Sequence, residues 1–368
     1  MKVVAVDVFS YDVHYAHGEY SMSHGRSATT QLGTLVRIRT DDGLSGWGEI
    51  TPLGGTYLPT FAEGVRSALR ILGHAIIDCD PTNLSLINRK MDQALLGQGF
   101  AKSAIDIACW DLLGLSVGRP VADLLGGVLN EDFPLYEAVP LGSPESMADF
   151  VVMRGEAGIT RFQLKVGNDP IDDVARTAAV RNIVPESTIV IADSNGGWSI
   201  LDAQRALRRL DDLDIYIEQP CRETDDCIIA MRGSRLPLVL DESIVSAGDL
   251  YHAKYAAGAA SVNIKISRVG GLTKAARMRD LMQSLGLMVS VEDMWGGDVV
   301  TAAVSHLAAS TAPESLLMTS FFNDWTDGHV AGHRPRSVTG RGSAPTAAGL
   351  GIDVDAPSLG EPIFTVEG

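Results

Sequence analysis

Three acidic residues recur at a regular interval in the second half of the chain. Asp193, Glu218 and Asp241 each end or follow a short apolar run, at intervals of about 25 residues, the length of one strand–helix unit. A single acid at a strand end is commonly a solvated residue or a helix cap, but clustered carboxylates repel one another unless a cation is bound. Oxygen ligands without Cys or His favour Mg²⁺ over zinc. The spacing therefore predicts a magnesium site.

Two lysines lie inside runs that otherwise look buried. Lys165 stands in RFQLKVG and Lys265 in SVNIKISRVGG. A buried lysine is rare without a partner, so the alternatives are structural salt bridges or a catalytic role. Burial, a nearby cation and the second lysine are each expected to lower the pKa of both ammonium groups toward neutrality. We expect the pair to exchange a proton with the carbon beside a carboxylate, whose enediolate a divalent ion stabilises.

The acids and lysines fall at or near the ends of eight short β-branched segments. These segments are LYEAV (135–139), FQLKV (162–166), TIVIAD (188–193), DIYIEQP (214–220), PLVLDE (237–242), SVNIKI (261–266), LMVSVE (287–292) and SLLMTS (315–320). Amphipathic helical stretches lie between them, a pattern typical of parallel strands joined by right-handed crossovers. The carboxyl ends of barrel strands meet at one mouth, so a (β/α)7-8 TIM-type barrel would bring the charged residues together. No strand is followed by G-x-G-x-x-G, which weakens a dinucleotide-binding alternative.

The flanking segments predict a second, smaller domain. Residues 1–130 contain alternating strand-like runs, an Asp-Asp-Gly turn and helical stretches, which indicate an α+β capping domain. Residues 131–325 form the predicted barrel. Residues 326–368 are rich in Gly, Pro and Ser, and we expect this tail to return to the capping domain.

Composition excludes several classes of partner. The 368 residues carry a formal net charge of -16, so the chain should repel nucleic acid. Asp7 and Asp12 interrupt the N-terminal apolar run, which argues against a signal peptide or membrane span. The four cysteines form no C-x-x-C pair, and their spacing suits no zinc site. We therefore expect a reduced, cytoplasmic protein.

At this point the motifs resemble a known family over nearly the whole length. The motifs that carry the resemblance are GLSGWGEI, PLGGTYLP, FAKSAIDIACWDLLG, VADLLGG, QLKVG, IADSNGGW, YIEQPC, VLDES, NIKISRVGGLTKA and SVEDMWGGD. They are similar to those of the mandelate racemase/muconate lactonizing enzyme branch of the enolase superfamily. The resemblance implies that Asp193, Glu218 and Asp241 bind Mg²⁺ and that Lys165 and Lys265 are the acid/base pair. It also implies a homo-oligomer.

Two features narrow the resemblance. Many members carry a lysine where this chain has Gln163, and no obvious His–Asp base pair follows the sixth strand, so the chain resembles the two-lysine subgroup. The PLGGTYLP, EQPC and EDMWGGDVV segments are similar to those of cis-3-hydroxy-L-proline dehydratases and of the epimerases of proline betaine and hydroxyproline betaine. The resemblance implies a carboxylate substrate that is a cyclic amino acid.

The expected activity is dehydration of cis-3-hydroxy-L-proline to a cyclic imine acid. The alternatives are a 2-epimerase or racemase of proline, hydroxyproline or their betaines, a sugar-acid dehydratase, and a non-catalytic binding protein. The candidate substrate-binding residues are Tyr20, His24, Tyr57, Asn195, Glu292, Asp293, Trp295 and Trp325. For Glu292 and Asp293 the competing interpretation is that they cap the N-terminus of the following helix. For Trp295 it is that the ring only packs at the barrel rim and does not contact the substrate.

Overall fold

The amino-terminal part of the chain forms an antiparallel sheet. The protein is described by a computed structural model that covers all 368 residues. The strands are β1 (Val3–Tyr15), β2 (Tyr20–Ser21), β3 (Ser27–Ala28), β4 (Thr30–Thr40) and β5 (Ser45–Ile50). The long strands pair in the order β1-β4-β5, and Gly43 in the turn between β4 and β5 has a φ of 87°, a conformation that favours glycine.

Four helices follow, and the first and third of them pack against this sheet. They are α1 (Ala62–Ile76), α2 (Leu84–Ala94), α3 (Gly99–Val117) and α4 (Val121–Leu124). The apolar α3 lies so close to β5 that a Cβ at Gly48 would stand 1.8 Å from the carbonyl oxygen of Ala104. Glycine at this position is therefore required for the helix to touch the strand.

Eight parallel strands form the barrel. After β6 (Phe133–Pro134) they are β7 (Glu137–Val139), β8 (Arg161–Lys165), β9 (Ile189–Asp193), β10 (Tyr216–Glu218), β11 (Leu238–Leu240), β12 (Ser261–Lys265), β13 (Met288–Glu292) and β14 (Leu316–Thr319). They are hydrogen-bonded in chain order, and a bridge between Leu135 and Thr319 joins the first to the last. The predicted (β/α) barrel with an α+β cap is confirmed, and all eight predicted segments contain a strand.

Helices surround the barrel and bury its outer face. They are α5 (Pro144–Glu156), α6 (Pro170–Ile183), α7 (Ile200–Leu210), α8 (Thr224–Ala230), α9 (Ala247–Tyr255), α10 (Ile266–Val269), α11 (Leu272–Leu285) and α12 (Asp298–Ala309). Several begin at polar N-caps: Ser143, Asp169 and Ser199 each accept a backbone hydrogen bond from the first turn. A continuous core of 59 buried apolar residues packs these helices on the strands and extends into the cap, and it fixes the strand ends that carry the charged side chains.

The carboxyl-terminal segment connects the barrel back to the cap. Its strands are β15 (Thr326–Asp327), β16 (Arg341–Gly342) and β17 (Phe364–Glu367), and β15 and β17 both pair with β1. The four cysteines are all free thiols. None of the helices combines the length and the hydrophobicity that crossing a membrane requires.

Candidate active site

The barrel strands place one layer of charged side chains at a common height. Lys165 pairs in register with Asp193, and Asp193 pairs with Glu218 on the next strand. On the other side of the barrel, Lys265 pairs with Glu292. Side chains in this register point into the barrel because residues alternate between its inner and outer faces. All five are buried, so the layer forms a charged floor sealed from bulk water.

Each lysine of this layer makes an ion pair with one of the acids. The Nζ of Lys165 lies 2.5 Å from the Oδ2 of Asp193, and the Nζ of Lys265 lies 2.5 Å from the Oδ2 of Asp241. Arg268 donates to the other oxygen of Asp241 at 2.7 Å. The structure thus brings the predicted bases into direct contact with two of the predicted magnesium ligands.

These ion pairs overturn the expected direction of the lysine pKa shifts. Burial lowers the pKa of Lys165, but the charges of Asp193, Tyr20 and Glu218 outweigh it and raise the pKa above its usual value. Burial likewise lowers the pKa of Lys265, and the charges of Asp241, Glu292 and Glu242 raise it by more. The prediction of lowered pKa values is wrong for this arrangement, because a carboxylate in contact favours the charged ammonium more than burial disfavours it.

Glu218 stands between the two ion pairs without a cation of its own. Gln163 donates to both of its oxygens, at 3.1 and 3.0 Å, and Asn263 donates to one at 2.7 Å. Burial, followed by the charges of Asp193 and Asp241, raises the pKa of Glu218 well above its usual value. Gln163 therefore binds this acid without supplying charge.

The three acids provide donors suited to a hard divalent cation. No three His, Cys, Asp or Glu side chains are arranged as ligands of one metal ion, since the ammonium groups lie against two of the acids. The donor chemistry nevertheless fits: Asp193, Glu218 and Asp241 are fully buried carboxylates with no sulfur or imidazole among them. Beside them, the Oδ1 of Asn195 and the Oε2 of Glu242 are buried oxygens without a hydrogen-bond partner.

A narrow cavity lies directly above the charged layer. Its walls include both lysines and seven of the eight predicted substrate-binding residues: Tyr20, Tyr57, Asn195, Glu292, Asp293, Trp295 and Trp325. Sequence reasoning missed Met22, Leu53, Tyr136, Gln163, Met294 and Phe322 as wall residues. Met22 lies close in sequence to the predicted Tyr20, and Leu53 to the predicted Tyr57, so their position was an available signal. Nothing local to Tyr136 indicates that it points into the barrel.

His24 lies outside this cavity. Its backbone N–H donates to the side chain of Asn168 at 2.8 Å, and its Nε2 lies 2.9 Å from the carbonyl oxygen of Gly197. Its side chain is exposed at the contact between the capping loop and the barrel. The structure therefore gives His24 a place in holding the capping loop and not in the cavity wall.

The two acids at the end of β13 do not cap the following helix, because the N-cap of α12 is Gly297. Asp293 accepts hydrogen bonds from the hydroxyl of Ser267 and from the N–H of Met294, but its Oδ2 is buried without a partner. Burial raises the pKa of Asp293 to about 6 and that of Glu292 to about 7. Both acids face the cavity with one free oxygen each.

The cap supplies aromatic residues that cover the cavity. The hydroxyl of Tyr57 accepts a hydrogen bond from the Nζ of Lys265 at 2.9 Å and donates to Glu242 at 2.7 Å. Tyr20 packs against Trp295 with ring centroids 5.3 Å apart. The indole N–H of Trp295 is buried without an acceptor. The cap thus shields the charged layer while leaving a free donor at the cavity.

Comparison with known protein families matches both parts of the chain. Residues 5–126 match the mandelate racemase/muconate lactonizing enzyme N-terminal domain, and residues 146–358 match the enolase C-terminal domain-like family. Cis-3-hydroxy-L-proline dehydratase from Roseibium aggregatum is 43% identical over 99% of both chains. N-succinyl-L-Arg/Lys racemase from Bacillus cereus is 31% identical over 84% of this chain and 85% of its own.

Solved structures extend the similarity to the complete architecture. A mandelate racemase/muconate lactonizing enzyme from Roseovarius nubinhibens superposes with a TM-score of 0.96 at 34% identity, covering 100% of this chain and 99% of its own. A member of the enolase superfamily from the same organism, complexed with magnesium, superposes with a TM-score of 0.93 at 32% identity over the full length of both chains. The arrangement of cap and barrel is therefore shared with these proteins.

Proposed function

The chain belongs to the mandelate racemase/muconate lactonizing enzyme family of the enolase superfamily, and we propose that it is a Mg²⁺-dependent dehydratase of cis-3-hydroxy-L-proline. The observation that carries this proposal is a small, covered cavity bounded by two lysines on opposite sides and by two acids with free oxygens. The 43% identity to a cis-3-hydroxy-L-proline dehydratase over 99% of the chain supports the choice of substrate.

In this proposal Asp193, Glu218 and Asp241 hold Mg²⁺. When bound, the cation supplies positive charge for the substrate carboxylate, where negative charge grows as the α-proton leaves. The lysines stand on β8 and β12, which are separated by three strands in either direction around the eight-stranded ring. A flat substrate between them exposes one face of its α-carbon to each ammonium or amine, so one lysine removes the proton and the other faces the opposite side.

The walls of the cavity suit a cyclic amino acid. Nine of the fifteen lining residues are hydrophobic, which matches the methylene groups of a five-membered ring and excludes water from the reacting carbon. The free Oδ2 of Asp293 is placed to accept from a ring ammonium, and the free indole N–H of Trp295 to donate to a substrate oxygen. The predominance of hydrophobic side chains in these walls disfavours a sugar acid, whose several hydroxyls would each need a polar partner.

A second candidate is a 2-epimerase or racemase of proline, hydroxyproline or their betaines. The opposed lysines favour it, because one can deprotonate and the other can return a proton to the opposite face. Several similar proteins are racemases or epimerases, including the N-succinyl-L-Arg/Lys racemase from Bacillus cereus. The two activities share the removal of the α-proton and differ only in the later steps.

The test is to incubate the purified protein with Mg²⁺ and cis-3-hydroxy-L-proline in D₂O. A dehydratase releases water and forms a cyclic imine acid, detected as its adduct with o-aminobenzaldehyde. An epimerase instead retains the hydroxyl, exchanges the α-hydrogen for deuterium and inverts the configuration, all visible by NMR. Absence of both reactions with hydroxyprolines, proline and the betaines would overturn the proposal, and a chelator should abolish whichever reaction is seen.

A further inference from the structure

Glu292 is a buried acid that the first step of the proposed reaction does not use. It lies at the end of β13, and its side chain is only 2% exposed and lines the cavity. The hydroxyl of Tyr136 donates to its Oε2. Its Oε1 has no hydrogen-bond partner, and the nearest charged group, the Nζ of Lys265, lies 3.9 Å away. One oxygen of the carboxyl group is therefore held by the protein and the other is left for a ligand.

The hydrogen-bond partners of Glu292 determine which of its two oxygens carries the proton. Burial raises the pKa of Glu292 to about 7, so a large share of molecules carry the carboxylic acid near neutral pH. Burial also raises the pKa of Tyr136 well above its usual value, so the tyrosine keeps its own proton and remains a donor. Because Oε2 already accepts from Tyr136, the acidic O–H belongs on Oε1. Lys265 is a donor and cannot accept that hydrogen, which is thus presented to the cavity.

The stereochemistry of the substrate determines which side of the cavity must hold the base and which the acid. In cis-3-hydroxy-L-proline the hydroxyl and the carboxylate share one face of the ring, so the α-hydrogen lies on the face opposite the hydroxyl. Dehydration therefore needs a base on one side and an acid on the other. Glu292 neighbours Lys265 in the barrel, and Lys165 stands on the opposite side. A substrate whose hydroxyl meets Glu292 has its α-hydrogen directed at Lys165.

We propose that Glu292 is the acid that protonates the departing 3-hydroxyl group, with Lys165 as the base; this assignment rests on the dehydratase function proposed above. Lys165 acts in its amine form, which it can reach once Asp193 is engaged by the proposed cation and no longer holds the proton on the ammonium. It then takes the α-proton and becomes an ammonium, and the electron pair of the C–H bond enters the enediolate. That pair then forms the C2–C3 double bond while the C3–O bond breaks, and the O–H of Glu292 supplies the proton that completes water. Glu292 is left as a carboxylate, and the enamine product tautomerises to the cyclic imine.

The decisive experiment separates proton abstraction from loss of the hydroxyl. The Glu292→Gln variant keeps the shape of the side chain but has no acidic proton to give. We expect it to dehydrate cis-3-hydroxy-L-proline at least 100-fold more slowly than the unmodified protein, the scale of a lost general acid. L-Proline has no hydroxyl, so its α-hydrogen should still exchange in D₂O within about threefold of the unmodified rate, far less than a lost general acid would cost.

Glu137 provides a matched control. It is also a buried glutamate on a barrel strand, and burial raises its pKa to about 7, but it accepts from Arg154 and does not line the cavity. Glu137→Gln should leave the ratio of dehydration to exchange unchanged even where it lowers stability. A substrate with chloride at C3 in place of the hydroxyl gives a second check, because chloride leaves without a proton and Glu292→Gln should eliminate it within about tenfold of the unmodified rate.

Three results would overturn the assignment. The first is dehydration by Glu292→Gln at the unmodified rate. The second is an equal fall of dehydration and exchange, which would give Glu292 a general role in the site. The third is a variant that fails with the chloro substrate while it still exchanges proline. The unmodified protein could exchange the α-hydrogen of proline and yet dehydrate no hydroxyproline. That result would overturn the proposed dehydratase function, and with it the role of Glu292.

Discussion

At the scale of single residues, the two cavity lysines are set apart from the other buried lysine of the chain. Lys165 and Lys265 contact acids that the proposal assigns to the metal, and both line the cavity. Lys102 is equally buried, but it pairs with Asp92 at 2.8 Å, away from the cavity. Burial alone therefore does not distinguish a reactive lysine from a structural one; the cavity does.

Removal of either cavity lysine is expected to impair a different proton transfer without unfolding the protein. Lys165→Ala should lower kcat of the Mg²⁺-dependent dehydration by at least about 100-fold, because it removes the base, and Lys265→Ala should lower any epimerisation by as much, because it removes the group on the opposite face of the α-carbon. The measurement is imine formation together with α-hydrogen exchange. Lys102→Ala is the control and should keep kcat per folded molecule. Retained activity in both cavity variants would contradict the proposed acid/base pair.

Magnesium is expected to stabilise the folded protein through the three acids. A ligand that binds only the native state raises stability by about 2.7 kcal/mol at a hundred times its Kd, so saturating Mg²⁺ should raise Tm by several degrees. Asp193→Asn should lose most of this shift. Glu137→Gln, which changes a buried acid outside the site, should retain it. An unchanged Tm with Mg²⁺ in the unmodified protein would argue against the site.

At the scale of elements, one carboxylate from the cap fixes the start of a barrel helix. Glu49 on β5 accepts from the N–H of Gly297 at 2.6 Å and from the N–H of Val300 at 2.9 Å. These groups belong to the N-terminus of α12, where free N–H donors and the helix dipole favour a negative charge. The loop that carries Asp293 and Trp295 runs directly into this helix, so the cap positions a wall of the cavity.

Weakening this contact is expected to affect both stability and substrate binding. In Glu49→Gln an N–H₂ group faces backbone donors, and we expect a loss of about 2 kcal/mol in the free energy of unfolding. KM should rise more than kcat falls, since Trp295 loses its support. Urea unfolding and steady-state kinetics measure the two effects. Glu63→Gln, an exposed acid in the first turn of α1, should change stability by less than about 0.5 kcal/mol.

At the scale of the whole molecule, buried polar contacts join the cap, the barrel and the carboxyl-terminal segment. Asp106 of α3 accepts from the N–H and the hydroxyl of Thr273 on α11. His306 of α12 accepts from the N–H of Ala122 through Nδ1, and its Nε2 lies 3.1 Å from the carbonyl oxygen of Leu350. These partners require the neutral imidazole with its hydrogen on Nε2. The three parts of the chain should therefore unfold together.

His306 is expected to make this assembly sensitive to acid. Burial lowers its pKa to about 4, whereas an unfolded histidine titrates near 6.5. As pH falls below 6.5 the unfolded state binds a proton first, so the stability that the neutral ring contributes is lost down to pH 4, by about 3 kcal/mol. Relative to His306→Asn, the unmodified protein should lose about that much unfolding free energy between pH 7 and pH 4. The unfolding free energies of both proteins are measured by urea titration at each pH. If they fall by the same amount between pH 7 and pH 4, the result contradicts this prediction.

The sequence by itself determined the strand–helix array and the residues that end each strand. Short β-branched runs with helical spacing between them leave few architectures, and parallel strands bring their carboxyl ends to one mouth. For that reason Asp193, Glu218, Asp241 and both lysines could be predicted to share one site. Tyr20 and Tyr57 could likewise be predicted as substrate-binding residues.

Only the tertiary structure decided which of these groups touch. The contact of each lysine with an acid reversed the expected pKa shift, because Coulomb energy depends on distances of a few ångström that spacing along the chain does not give. Tyr136 and Glu292 are 156 residues apart, and Glu49 and Gly297 are 248 apart, with no local pattern linking either pair. Such contacts arise from closing the barrel and docking the cap, since local periodicity specifies faces of elements and not their partners across the fold.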